Sequence, residues 1–111
     1  MVAGPYTTGA RTEAEREENL LRLNRAAFEV FKKGHVPIVA IDLALPILRA
    51  AGDDARDPLL MPLALALAAR CDAVLRLDGA SAGADEEVEC IQSRGGKVFY
   101  SLDEISPAPR R

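Results

Sequence analysis

The sequence predicts one α/β domain that is built on a parallel β-sheet. Short apolar segments alternate with longer helical segments along the 111 residues, which is the pattern of strands joined by right-handed helical crossovers. Segment 35–41 (HVPIVAI) is almost entirely apolar, as expected of a strand that helices cover on both faces. The predicted order of elements is β-α-β-α-α-β-α-β.

The first part of the chain predicts two strands and one long helix. Met1–Ala3 is a very short strand that ends in a turn at Gly4-Pro5. A capping box at Thr12–Glu15 begins a helix, which keeps apolar residues at helical spacing as far as Lys33. His35–Ile41 is the second predicted strand.

The middle of the chain predicts two consecutive helices. Asp42–Ala51 is a short helix, and Gly52–Arg56 is an exposed loop. Asp57 as a cap and Pro58 in the first turn begin a second helix that runs to Arg70. Leucines occur on nearly every side of this helix, so we expect it to be buried on more than one side, with a subunit interface as the candidate.

The last part of the chain predicts a strand, a helix and a further strand. These are Asp72–Leu77, Gly83–Arg94 and Lys97–Ser101, with a turn at Gly95-Gly96 and one more helical turn at Leu102–Ile105. Residues 1–105 are therefore expected to form the single domain. The Pro-rich, basic residues 106–111 are expected to be a flexible tail.

Composition and charge argue against several classes of function. The net charge is −3 and no basic stripe is present, so a nucleic-acid polymer is not expected as a partner. Cys71 and Cys90 lack the spacing of a zinc site, and neither a metal nor another cofactor is predicted. The longest apolar run, Leu59–Ala69, is too short to cross a bilayer. Nothing resembles a signal peptide, so we predict a cytoplasmic protein with no membrane partner.

Two loops at the predicted carboxyl ends of strands carry the candidate chemistry, because ligands bind at this edge of open α/β sheets. Residues 4–9 (GPYTTG) either aim backbone amides at an anion or simply turn the chain. Residues 78–87 (DGASAGADEE) place Asp85, Glu86 and Glu87 in the first turn of a helix, where the helix dipole favours any acid. One of the three faces the sheet edge, and periodicity alone does not say which.

Four motifs resemble those of one superfamily. They are Gly4-Pro5-Tyr6-Thr7, residues 34–37 (GHVP), residues 71–74 (CDAV) and Ser81-x-Gly83-Ala84-x-x-Glu87, in that order. Together they resemble the nucleoside 2-deoxyribosyltransferase-like superfamily, in particular its small members and the related deoxynucleoside 5′-monophosphate N-glycosidases. The resemblance covers Val2 to Ile105. It implies a three-layer, flavodoxin- or Rossmann-like sandwich with a parallel sheet of about four to five strands, and a homodimer or higher homo-oligomer.

The resemblance also implies roles for individual residues. Glu87 matches the glutamate that attacks the anomeric carbon of the sugar as a nucleophile. Ser81 matches a serine that contacts phosphate in relatives that hydrolyse nucleoside 5′-monophosphates, where the transferases have an aspartate. Ala64 replaces an aspartate that helps to protonate the departing base, and Asp53, Asp54 or Asp57 in the preceding loop is a candidate substitute for that acid. The predicted substrate-binding residues are Gly4, Pro5, Tyr6, Thr7, Gly9, Asp78, Ser81, Gly83 and Ala84.

Three functions remain open at this point. The favoured one is an N-glycosidase that acts on nucleoside or deoxynucleoside 5′-monophosphates through Glu87, with transfer to a second base as a variant. Ala64 favours a nucleotide-binding or sensing module without catalysis. The third is an oligomeric interaction protein that assembles through the helix containing Leu59–Leu67. Arg11 is a further candidate for binding phosphate, and His35 is expected to be structural.

Overall fold

Three short parallel strands lie at the centre of the fold. The computed structural model describes residues 1–109, apart from the side chain of Asp53. The strands are β1 (Val2–Ala3), β2 (Ala73–Arg76) and β3 (Lys97–Phe99), in the spatial order β1-β2-β3. All pairings are parallel, with Val2 opposite Leu75 and Val74 opposite Val98. The predicted α/β class with a parallel sheet is confirmed, but within the described residues the sheet has three strands instead of four to five.

Helices cover both faces of this sheet. They are α1 (Glu13–Lys32), α2 (Ala40–Ala51), α3 (Arg56–Ala68) and α4 (Ala82–Ser93), with short 3-10 turns at Asp53–Ala55 and Leu102–Glu104. Helix α1 packs on one face, and α3 and α4 pack on the other. Helix α2 packs against α3. This arrangement is compatible with a Rossmann-like sandwich.

Alternation along the strands divides the core into two clusters. Val2 and Leu75 face α1 and pack with its Leu23, whereas Val74 faces the opposite way and packs with Ile91 of α4. Successive side chains of a strand point to opposite faces of the sheet, so each short strand contributes to both clusters. Ile91 of α4 and Ala68 of α3 are both fully buried on this side of the sheet.

The predicted second strand, His35–Ile41, is wrong. Its last two residues belong to α2, and the others form no strand. One backbone hydrogen bond, from Val2 N to Ile38 O at 2.8 Å, places the segment beside β1. Pro37 has no amide hydrogen to donate to a ladder, and α2 begins at Ala40, so the segment is too short and too poor in donors to extend the sheet.

A capping box has two hydrogen bonds, and the structure shows one of the two predicted at the start of α1. The Thr12 hydroxyl accepts from the Glu15 amide at 3.1 Å. The Glu15 carboxylate accepts from the Arg11 amide at 2.6 Å, one residue before the expected partner. Gly34, with a φ of +90°, follows the end of this helix as predicted.

The leucine-rich helix α3 begins earlier than predicted. Arg56 is its first residue, and Ala55 is its cap without a side-chain bond, so the predicted cap at Asp57 is wrong. The five leucines from Leu59 to Leu67 are half-buried in the single chain. Neighbouring Leu43 and Ile47 of α2 are 46% and 44% exposed. Burial of this surface by a second subunit stays a prediction.

The described part of the predicted tail contacts the body of the protein. The Ala108 amide donates to the Lys33 carbonyl at 2.7 Å, and the His35 ring lies 2.7 Å from the Ser106 carbonyl. His35 therefore has a structural contact with the tail, and it does not line the hollow described below. Residues 110–111 of the tail lie outside the described residues.

Neither a membrane span nor a metal cluster is found within residues 1–109. No helix there combines the length and the apolar character that crossing a bilayer requires. No group of three or more His, Cys, Asp or Glu side chains in that part of the chain is arranged to hold a metal ion.

Candidate active site

A hollow of about 270 Å³ opens where the loop after β1 and the start of α4 meet α2 and α3. It lies at the carboxyl end of the parallel strands, where ligands of open α/β sheets bind. Its lining consists of Gly4, Tyr6, Thr7, Thr8, Ala40, Ile41, Ala44, Arg56, Leu60, Met61, Ala64, Ser81, Gly83, Ala84 and Glu87. Seven of the ten site residues predicted from the sequence are therefore brought together: Gly4, Tyr6, Thr7, Ser81, Gly83, Ala84 and Glu87.

The loop after β1 is held against the sheet and α1. The Asn19 amide of α1 donates to the Tyr6 carbonyl at 2.8 Å, which fixes the loop where it borders the hollow. A methyl group on Gly4 would lie 3.1 Å from Leu77 and 3.2 Å from Leu23. Glycine at position 4 thus allows a close approach of the chain to its neighbours.

The first turn of α4 forms the opposite wall. The Ser81 hydroxyl accepts from the Ala84 amide at 3.1 Å and caps the helix. Gly83 lies beside Met61 of α3, whose sulfur would be 3.2 Å from an added methyl group. Small residues therefore let the helix start approach the side chains across the hollow.

Glu87 is the inward-facing acid of the three at the start of α4. It is 9% exposed, whereas Asp85 and Glu86 are exposed. Ser81, Ala84 and Glu87 are three residues apart and share one face of the helix, which points at the hollow. Within the described part of the chain, no group forms a hydrogen bond or ion pair with the Glu87 carboxyl, and the carboxyl is not sealed from the hollow. The structure thus resolves which acid the sequence left undecided.

Burial changes the ionisation of this carboxyl. Desolvation raises the pKa of Glu87 from 4.5 to about 7, against the opposing attraction of the chain's amino group and Arg76. Near neutral pH both the protonated and the ionised forms are consequently populated. A carboxyl with these properties in a cleft is typical of functional sites.

We expect the stability of the protein to fall between pH 4.5 and pH 7 because of Glu87. In that window the folded protein retains a proton that the unfolded chain has lost, so the free energy of unfolding decreases as pH rises, by about 3 kcal/mol in total. Above pH 7 this contribution no longer changes. Urea unfolding across this range measures the decrease.

The matched variants for that measurement are Glu87→Gln and Glu86→Gln. Glu87→Gln has no proton to lose, so its stability lacks this decrease and exceeds that of the natural protein above pH 7. Glu86 is exposed, so Glu86→Gln keeps the pH dependence. An unchanged decrease in Glu87→Gln would show that the carboxyl is not desolvated.

Three predicted site residues do not line the hollow. Asp78 lies in a separate depression of about 250 Å³, and its carbonyl accepts from Arg22 of α1 at 2.7 Å. Pro5 is buried and lies within 3 Å of where a methyl group on Gly79 would stand. Gly9 is exposed in a turn with a φ of +79°. Arg11 does not line the hollow either.

Arg76 holds the loop between β2 and α4 in place. Its guanidinium donates to the carbonyls of Leu77 and Gly79 and pairs with Asp85 at 3.0 Å. The Arg76 side chain is only 12% exposed, whereas that of Asp85 is 71% exposed. Arg76 is not among the described lining residues, but its positive charge is close enough to lower the pKa of Glu87. The loop in turn fixes where α4 begins.

Sequence reasoning missed most of the wall that α2 and α3 contribute, and of its residues only Ala64 had been connected with the site, through the resemblance. Ala40, Ile41 and Ala44 lie on α2, part of which had been predicted as a strand. Arg56, in the first turn of α3, is the one cation among the described lining residues. The sequence predicts Arg56 in the loop before this helix, so no sequence signal marked it as part of the site.

Comparison with known proteins adds no relative to this description. No protein-family model, no curated protein and no solved structure matches the chain.

Proposed function

We propose that this protein is an N-glycosidase that cleaves the bond between base and sugar in nucleoside or deoxynucleoside 5′-monophosphates. The observation that carries the proposal is the Glu87 carboxyl, which is 9% exposed, has no partner among the described residues and lines an open hollow. A buried carboxyl without a hydrogen bond costs free energy. Such a cost is accepted where the group acts on a ligand.

The proposed reaction has two displacements at C1′ of the sugar. In the first, an oxygen of the ionised Glu87 forms a bond to C1′, the C1′–N bond breaks, and its electron pair leaves with the base. In the second, water attacks C1′, the ester to Glu87 breaks, and the carboxylate is regenerated with release of one proton. A single carboxylate thus replaces one difficult displacement by two easier ones.

The 5′-phosphate of the substrate, at the other end from the base, has positive and hydrogen-bonding partners available. Ser81, Gly83 and Ala84 at the start of α4 line the hollow, and a helix start favours anions. Arg56 adds a full positive charge to the same lining. Arg56 and Glu87 form no ion pair in the described structure, so the guanidinium is not committed to the carboxyl. Both features fit a 5′-phosphate.

We expect Arg56→Ala to weaken binding of a nucleoside 5′-monophosphate about tenfold. Binding of the corresponding nucleoside should not change, because it has no phosphate for Arg56 to contact. Calorimetry with adenosine and AMP measures both. Arg49→Ala is the matched control, since Arg49 is exposed on α2 and does not line the hollow. Equal losses for adenosine and AMP would remove Arg56 from phosphate recognition.

The proposed activity is tested by incubating the pure protein with nucleoside and deoxynucleoside 5′-monophosphates and measuring free base by chromatography. Release that scales with protein concentration is expected for at least one nucleotide. If the panel yields no base above the protein-free reaction, the protein is not a glycosidase for these substrates.

A nucleotide-binding module without turnover is the second candidate. It is favoured by one observation: Ala64 lines the hollow, and Glu87 is the one carboxyl among the described lining residues. Saturable binding of a nucleotide by calorimetry, without release of base, would support this candidate over the glycosidase.

A further inference from the structure

Among the residues described around the hollow, one carboxyl can act as the nucleophile, and neither a second carboxyl nor a histidine accompanies it as an acid. Among the described lining residues, the ionisable side chains are Tyr6, Arg56 and Glu87. Asp54 and Asp57 do not line the hollow, and the side chain of Asp53 lies outside the described structure. Ala64, 7% exposed, lies in the wall formed by α3, where a longer polar side chain would reach the hollow. Glu87 cannot both attack as a carboxylate and deliver a proton in the same step.

The charge of the base determines whether it needs a proton in order to leave. When a neutral base departs, it carries away the electron pair of the C1′–N bond and becomes an anion unless it receives a proton. Supplying that proton by general acid catalysis typically accelerates such a step by about 10²–10⁴-fold. When the base is a cation, the same electron pair neutralises its positive ring nitrogen, and it leaves as a neutral molecule without any proton transfer.

The electrostatics of the hollow point to the same class of base. An ionised Glu87 would be a largely buried negative charge that forms no hydrogen bond or ion pair among the described residues, and the attraction of the amino group and Arg76 offsets only part of its desolvation. A positively charged ring in contact with it supplies that partner and favours the ionised, nucleophilic form. Arg56 remains available for the phosphate.

We propose that the preferred substrates are nucleoside 5′-monophosphates whose base carries a positive charge, such as pyridinium nucleotides or N7-alkylated purine nucleotides. This inference rests on the proposed glycosidase function and narrows its substrate class. Glu87 forms its bond to C1′ as the bond to the cationic base breaks, and water then releases the sugar phosphate and regenerates the carboxylate.

The test compares pairs of substrates that differ in the charge of the base. 7-Methylguanosine 5′-monophosphate and GMP differ by one methyl group, and nicotinamide mononucleotide provides a second cationic base. We expect kcat/KM for the methylated nucleotide to exceed that for GMP by at least about 10²-fold, the lower end of the contribution of a general acid. Methylation also speeds the uncatalysed reaction, so both rates are compared with protein-free reactions. Equal values of kcat/KM for the two nucleotides would overturn the inference.

Variants at position 64 provide a second, independent test. Ala64→Asp introduces an acid into the wall, so it should speed release of guanine from GMP more than tenfold and leave the methylated nucleotide nearly unchanged. Ala64→Asn is the control of equal size without the acid. If a variant fails to fold, as judged by circular dichroism, the comparison of the two substrates with the wild-type protein decides the question.

Binding measurements distinguish a failure of this inference from a failure of the glycosidase proposal. By calorimetry, Glu87→Gln should bind nicotinamide mononucleotide about tenfold more weakly than the wild type, while its affinity for GMP stays within about twofold. A wild-type protein that releases no base at all overturns the glycosidase proposal. In that case a selective loss of affinity of Glu87→Gln for nicotinamide mononucleotide would still show that Glu87 recognises a cationic base. Equal losses of affinity for nicotinamide mononucleotide and GMP would overturn that recognition as well.

Discussion

Glu87→Gln is expected to reduce base release by on the order of 10⁴-fold, as is typical when a residue at the centre of a catalytic unit is removed. Glutamine has the size of glutamate, so the packing of α4 is preserved. Its amide cannot carry the negative charge that forms the ester to C1′. Glu87 is 9% exposed and lines the hollow, and no other described carboxyl there can take over.

Glu86→Gln is the matched control for this loss, because Glu86 is adjacent in sequence but exposed. Its rate of base release should stay within about twofold of the wild type, in the range of ordinary surface substitutions. Rates are measured by chromatography of free base, and unfolding by urea verifies that both variants are folded. Similar rates for Glu87→Gln and the wild type would remove Glu87 from the mechanism.

Gly96→Ala is expected to produce the largest loss of stability, about 3 kcal/mol or more. Gly96 follows α4, and its amide donates to the Ile91 carbonyl at 2.9 Å. An added methyl group would overlap with the Ile91 side chain, and it would lie 2.8 Å from the Asp72 carbonyl oxygen and 2.9 Å from that of Ile91. Ile91 is fully buried, and backbone oxygens cannot rotate away, so α4 would have to shift from the sheet.

Gly95→Ala is the control for that substitution. Gly95 has a φ of +87°, but no atom lies within 4 Å of an added methyl group. The cost there is the backbone conformation alone, about 1 kcal/mol. Thermal unfolding should show a fall in Tm of more than about 10 °C for Gly96→Ala and a smaller one for Gly95→Ala. Equal shifts would mean that crowding against Ile91 is not what makes glycine necessary.

The parts of the fold that local chemistry controls were predictable from the sequence. Thr12 and Gly34 bound α1 because a hydroxyl cap and a left-handed glycine act within one turn of the helix. The segment from β2 to α4 was also predicted closely, because an apolar strand, a small-residue loop and a capped helix follow one another directly. Only the ends of these elements differ, each by one residue.

The parts that depend on distant contacts were not predictable. Apolar residues at 35–41 predict a strand, yet Pro37 and the start of α2 at Ala40 leave a single bond to β1. The cap at Asp57 failed for a similar reason, since α3 continues from the preceding 3-10 turn without a side-chain cap. Propensity is a weak guide where neighbouring elements decide the boundary.

The candidate site also contains residues that the local sequence predicts and residues whose position depends on distant contacts. Ser81, Ala84 and Glu87 could be placed on one helix, but only the packing of α4 against the sheet determines that Glu87 faces inward while Glu86 is exposed. Arg56 was out of reach because its contribution depends on how α3 approaches the loop after β1. Asp78 was misplaced because the β2–α4 loop turns it toward Tyr100 and Arg76, away from the hollow.

Mass spectrometry of the protein, quenched with acid during turnover of a nucleoside 5′-monophosphate, tests the role of Glu87 most directly. We expect a sugar phosphate attached to the peptide that contains Glu87, and no such adduct in Glu87→Gln. An adduct on a different residue, or undiminished release of base by Glu87→Gln, would contradict it.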